Sequence, residues 1–104
     1  MTESEYVRAV RKSDLRHGAK HEFNIGEKSI LICNWMDKLY AVSNICSHAN
    51  EKLCNGRLGN GWIACPLHGA RFQLATGQVM NPPATRPIPV FDIRVVDDWI
   101  EVRI

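Results

Sequence analysis

The chain has 104 residues, 45% of them apolar, with thirteen Lys and Arg against eleven Asp and Glu. That length suits one domain and leaves no room for a second independent core, and the composition excludes a disordered or low-complexity chain. A net charge of +2, scattered along the sequence, is not the basic footprint that nucleic-acid binding requires.

Strand signals dominate. Period-two alternation and turn chemistry predict strands over residues 6–10, 21–25, 29–34 and 39–43, with turns at Gly26-Glu27 and Met36-Asp37. Residues 13–18 alone look helical, with Ser13 as N-cap and Gly18 as stop, for about one turn. From Asn44 to Gly61, Asn, Ser and Gly accumulate and alternation lapses, which predicts a long loop of the functional kind. Asn81-Pro82-Pro83, followed by Pro87 and Pro89, predicts a second, rigid loop. Alternation returns over 91–95 and 100–104 around Asp97-Asp98, a closing hairpin. Strands this closely spaced pair antiparallel, so an all-β fold is expected.

The longest apolar runs, near residues 29–33, are far shorter than a membrane span. The first residues, 1–6, lack the basic and apolar regions of a signal peptide. A cytoplasmic protein is expected, with neither nucleic acid nor membrane as partner. Four cysteines among 104 residues are too sparse for a disulfide-stapled domain, and in a reducing compartment thiolate ligation is expected before bridges.

Two patterns carry the chemistry: Cys46-Ser47-His48 and Cys65-Pro66-Leu67-His68. Each short segment offers one thiolate and one imidazole. That set suits zinc or an iron–sulfur cluster, but structural zinc sites usually pair like with like, so the arrangement fits a binuclear centre better. Cys33, inside an apolar run, reads as a core residue, and Cys54 has no matching ligand position. His17 and His21 lack cysteine neighbours and read as surface residues. Trp35, Trp62 and Trp99 read as strand packing.

The paired motif resembles that of the Rieske family, Cys-x-His followed by Cys-x-x-His. Gly69, Thr76-Gly77, the Asn81-Pro-Pro loop and the closing hairpin also fall where that family has them. The resemblance implies the Rieske fold: an antiparallel β-sandwich-like base with a small cluster-binding subdomain, roughly residues 45–84, inserted in a single domain spanning 1–104. It implies one [2Fe-2S] cluster per chain, with Cys46 and Cys65 on one iron and His48 and His68 on the other. Neutral imidazoles in place of two thiolates make the first electron easier to add, which lifts such clusters to about −150 to +300 mV against roughly −400 mV for plant-type ferredoxins. Pro82 and Pro83 would cover the cluster; Gly69 reads equally as a turn glycine or as a position that lets backbone N–H groups approach the cluster sulfurs.

Departures from parts of the family narrow the function. Where the cytochrome-complex members have a disulfide, this chain has Glu51 and Leu67. Where they place Ser and Tyr hydroxyls, it has Ala70 and Phe72, which implies the low end of the Rieske range. The resemblance is therefore to soluble Rieske-type ferredoxins. It implies a monomeric one-electron carrier, not itself an enzyme, passing electrons from a reductase, flavin-dependent or similar, to the terminal Rieske oxygenase of an aromatic-ring-hydroxylating dioxygenase system through transient contacts. The alternatives are the small subunit of an assimilatory nitrite reductase, a carrier for a non-aromatic oxygenase, and a zinc-binding interaction domain.

Overall fold

The computed structural model describes residues 5–82 and 84–104. Ten strands form three antiparallel sheets, and no α-helix occurs among the described residues. The first sheet has the order β1-β10-β9, from Tyr6–Arg11, Trp99–Arg103 and Ile93–Val96. The second has the order β2-β3-β4-β8, from Lys20–Ile25, Lys28–Trp35, Lys38–Ser43 and Val90–Phe91. The third is small, β5-β6-β7, from Arg57–Gly59, Trp62–Ala64 and Arg71–Gln73. The β3 run from Ile30 to Asn34 is buried throughout, so this central strand packs on both faces: Ile30 and Ile32 face a cluster with Leu15, Ile100 and Val102, whereas Leu31 and Cys33 face one with Cys46, Ile63, Cys65 and Phe72. Period-two alternation thus assigns one face of β3 to the base and the other to the small sheet.

Three elements differ from the sequence expectation. The helical turn covers only Lys12–Asp14, is 3-10, and is not capped by Ser13, whose hydroxyl donates to Asp98 at 2.7 Å instead. The segment expected as one strand over 91–95 is two, because the chain changes sheets at Asp92: Phe91 pairs with Ala41 of β4 and Ile93 with Val102 of β10. The expected 44–61 loop holds a second 3-10 turn, Leu53–Asn55, and strand β5. Pro83 of the expected cover loop lies outside the described residues, and Pro82 is exposed. The hairpin turns at Met36-Asp37 and Asp97-Asp98 place all four residues at positive φ, 53 and 68° and 51 and 67°. Paired left-handed residues of this kind match the right-handed twist of the flanking strands.

Candidate metal centre

Two loops meet at the site. The first leaves β4 and is gathered by Asn44, which is fully buried. Its backbone N–H donates to Ser29 O at 2.9 Å, and its carbonyl accepts from Leu53 N–H at 2.6 Å. Its side-chain Nδ2 donates to Ser29 Oγ at 3.0 Å and to Glu22 Oε2 at 3.2 Å, while Oδ1 accepts from Cys54 N–H at 2.8 Å. The Cys46 N–H donates to Glu51 O at 2.9 Å, closing the loop that carries His48. The second loop links β6 to β7. Cys65 N–H donates to Ala70 O at 2.7 Å and Gly69 N–H to Cys65 O at 3.2 Å, with His68 at φ 79° and Gly69 at φ 74°. A left-handed His is uncommon and costs about 1 kcal/mol or more, a strain concentrated where function needs a particular side-chain aim. Asn81 holds this loop from outside: Oδ1 accepts from Arg71 N–H at 2.8 Å and Nδ2 donates to Gly69 O at 3.3 Å.

These loops bring Cys46, His48 and Cys65 together, with one ligand atom from each lying within 4.8 Å of the others. Cys46 Sγ is 2.8 Å from His48 Nδ1. The His68 ring stands outside that group, exposed, with its centre 5.9 Å from the His48 ring. Cys46 and Cys65 are both buried and unbridged. Burial pushes the Cys65 thiol up to about 11, and the neighbouring Cys46 thiol and Glu51 act in the same direction, against a backbone hydrogen bond from Leu67. His48 Nε2 is buried without a hydrogen-bond partner. Two desolvated thiols, an imidazole in contact with one of them and an orphaned ring nitrogen fit a thiolate–imidazole metal group better than a packed core, which would leave no polar atom unsatisfied.

Cys33 and Cys54 stand apart from this group. Cys33 is fully buried, and burial pushes its thiol up to about 12 from the ordinary 9.0. The raised value favours the neutral thiol in the folded state, so this contribution to stability is complete below pH 9.0 and is lost as pH rises from there through about 12. Cys54 is half-buried, its sulfur 3.8 Å from Glu22 Oε1. At pH 8, iodoacetamide is expected to alkylate Cys54 in the folded holoprotein and to leave Cys33 unmodified, whereas in denaturant both react; peptide mass mapping checks this. Alkylation of native Cys33 at a rate equal to that of Cys54 would contradict its burial.

Fold and donor set together define a small iron–sulfur protein. The Rieske [2Fe-2S] domain model matches residues 5–92, and the chain belongs to that family. It is 35% identical over 79 residues to the anthranilate 1,2-dioxygenase ferredoxin subunit of Burkholderia cepacia, covering 76% of this chain and 73% of that one. Among solved structures, the ferredoxin of carbazole 1,9a-dioxygenase from Nocardioides aromaticivorans superposes with a TM-score of 0.90 at 32% identity, covering 95% of this chain and 97% of the other. A ferredoxin in complex with the reduced oxygenase of carbazole 1,9a-dioxygenase also superposes with a TM-score of 0.90, at 28% identity over 94% of this chain and 92% of the other. The group that this site is built to hold is a [2Fe-2S] cluster.

In the sequence, Asn44 looks like an ordinary loop residue, and Asn81 is marked only as the start of the Asn81-Pro-Pro loop. Their positioning role comes from partners distant in the chain, such as Glu22 and Ser29 for Asn44 and Gly69 and Arg71 for Asn81.

Proposed function

We propose that this chain is a one-electron carrier that takes electrons from a reductase, flavin-dependent or similar, and delivers them to the terminal oxygenase of an aromatic-ring-hydroxylating dioxygenase system. Cys46 and Cys65 would hold one iron and His48 and His68 the other, on a cluster-binding unit of roughly residues 45–84 inserted in a single domain. The observation that carries this reading is the convergence of Cys46, His48 and Cys65 within 4.8 Å beside the His68 ring. The relatives, ferredoxin subunits of dioxygenase systems, supply the partner class.

When bound, the cluster supplies a one-electron couple. The chain does the rest. Its buried thiols keep water from the sulfur side, and the hydrogen bonds that close each loop fix the donors before a partner arrives. His68, exposed at the tip of the second loop, places an imidazole edge where a partner can touch it and gives the electron a short way out. The reading carries with it a monomeric protein of the cytoplasm.

The test is an absorption spectrum of purified protein, air-oxidised and then reduced with dithionite, with iron, sulfide and zinc assayed on the same sample. A coloured protein with iron and sulfide in equal amounts that bleaches on reduction is expected. A colourless protein that contains zinc would overturn the proposal.

A further inference from the structure

Two tryptophans of this chain are each flanked by two arginines, and the two arrangements differ in their carboxylates. On the β1-β10-β9 sheet, Arg8 and Arg11 lie 5.2 and 4.8 Å from the Trp99 ring centre. Both reach an acid, Arg8 to Glu101 and Arg11 to Asp98, each at 3.8 Å. On the small sheet, Arg57 and Arg71 lie 5.5 and 4.1 Å from the Trp62 ring centre. Among the described residues, neither has a carboxylate within ion-pair distance.

The register puts this second stack beside the metal centre. Arg57 and Arg71 both pair with Ala64, from opposite sides, and Ala64 immediately precedes Cys65. Trp62 shares that face two residues earlier, and its ring lies so close over Gly59 that a Cβ there would sit 2.1 Å from it. The other face, with Leu58, Ile63 and Phe72, packs into the core around Cys46 and Cys65. An open recess of about 700 Å³ adjoins the stack, with Lys20, Arg57, Cys65, Pro66 and Gly69 in its wall. Charge follows the same division. Residues 45–89 carry Lys52, Arg57, Arg71 and Arg86 against Glu51 alone, a balance of +3, while the remaining nine cations face ten carboxylates, a balance of −1.

A guanidinium stacked on an indole has already lost rotamer freedom and keeps its N–H edge available for a two-point contact with a carboxylate. Each arginine of the Trp99 pair has a carboxylate of its own molecule 3.8 Å away; among the described residues, neither arginine of the Trp62 pair has one within ion-pair distance. We infer that the Arg57–Trp62–Arg71 face and its recess dock a carboxylate-rich surface of the redox partner, steering it onto the loop that carries Cys65. This rests on the electron-carrier role proposed above.

The test uses the dithionite-reduced, desalted holoprotein and two cobalt(III) oxidants, anionic tris(oxalato)cobaltate and cationic hexaamminecobalt. Each cobalt takes one electron from one reduced protein and releases its ligands as cobalt(II). The Arg57→Gln/Arg71→Gln variant is expected to slow oxidation by the anion by about threefold or more at low salt, to leave the cation rate unchanged or faster, and to lose the difference at high salt. Poly-L-glutamate, as a carboxylate surface, is expected to protect the wild type from the anion and not the variant, and Arg8→Gln/Arg11→Gln is expected to behave as wild type. Equal anion rates for the wild type and the stack variant, or no protection of the wild type by poly-L-glutamate, would overturn the docking face. The visible spectrum of each variant confirms that it carries a cluster, and Arg57→Gln alone serves if the double variant does not assemble. A wild type without a reducible cluster would defeat the carrier proposal instead.

Discussion

Asn44→Ala is expected to cost about 2–4 kcal/mol of stability and to lower iron content with it. The change removes an amide that satisfies Cys54 N–H, Ser29 Oγ and Glu22 Oε2 in a fully buried position. Each buried group left without its partner costs about 1–3 kcal/mol, more than the small net value of forming the bond. Asn24→Ala is the control, because that amide is exposed and bonds to the same Glu22 at 3.4 Å; it is expected to stay within about 0.5 kcal/mol of the wild type. Urea midpoints read the stability, and iron assayed on the same samples shows whether the first ligand loop has lost its shape. Equal midpoints for the two variants would show that the Asn44 amide does not hold the loop.

Cys65→Ser is expected to abolish the visible spectrum and reduce bound iron at least about tenfold. Changing a residue that only orients a ligand typically costs about 10–100-fold in metal affinity, and removing the ligand itself costs more. The hydroxyl is a poor thiolate substitute, and Cys46 is then left as the only thiolate on its side of the site. Leu67→Ala is the matched control on the same loop: its side chain is 41% exposed, it offers no ligand atom, and iron is expected to stay at the wild-type level. The base is expected to persist in Cys65→Ser, because Ile30, Ile32, Ile100 and Val102 pack together in a cluster separate from the one that contains Cys65. Far-ultraviolet circular dichroism checks that, and a variant with full colour would remove Cys65 from the ligand set.

Strands β1 to β4 and the closing hairpin were legible because their alternation is long enough to set a face, and because Gly26-Glu27, Met36-Asp37 and Asp97-Asp98 interrupt it. The small sheet was not legible. Its strands have three residues each, too few for a period to show, and β5 and β6 sit among Gly56, Gly59, Asn60 and Gly61, which look like loop. What holds them is tertiary: Ile63 pairs with Leu58 and Phe72, and all three bury one side in the core. Propensity yields to burial there. The break at Asp92 escaped for a related reason, since both halves of the segment alternate correctly and only the neighbours, β4 for Phe91 and β10 for Ile93, tell them apart. The candidate ligands stood out because two short motifs each pair one Cys with one His, as Cys-x-His and Cys-x-x-His. The residues that aim them, Asn44 and Asn81, act through partners that no local pattern reveals.

The pairing of β1 with β10 sets an order on synthesis. Among the described residues β1 has a single neighbour in its sheet, with Tyr6 opposite Arg103 and Ile104 N–H donating to Glu5 O. Strand β1 therefore has no neighbour in its sheet until β10, far along the chain, has been translated. Both loops with the candidate ligands, at 46–48 and 65–68, are translated during that wait, as are β2, β3 and β4, which pair in succession. Domains that form long-range pairings last leave their earlier segments open for longer. Both candidate ligand loops are thus present in the chain before the base sheet can close it on itself.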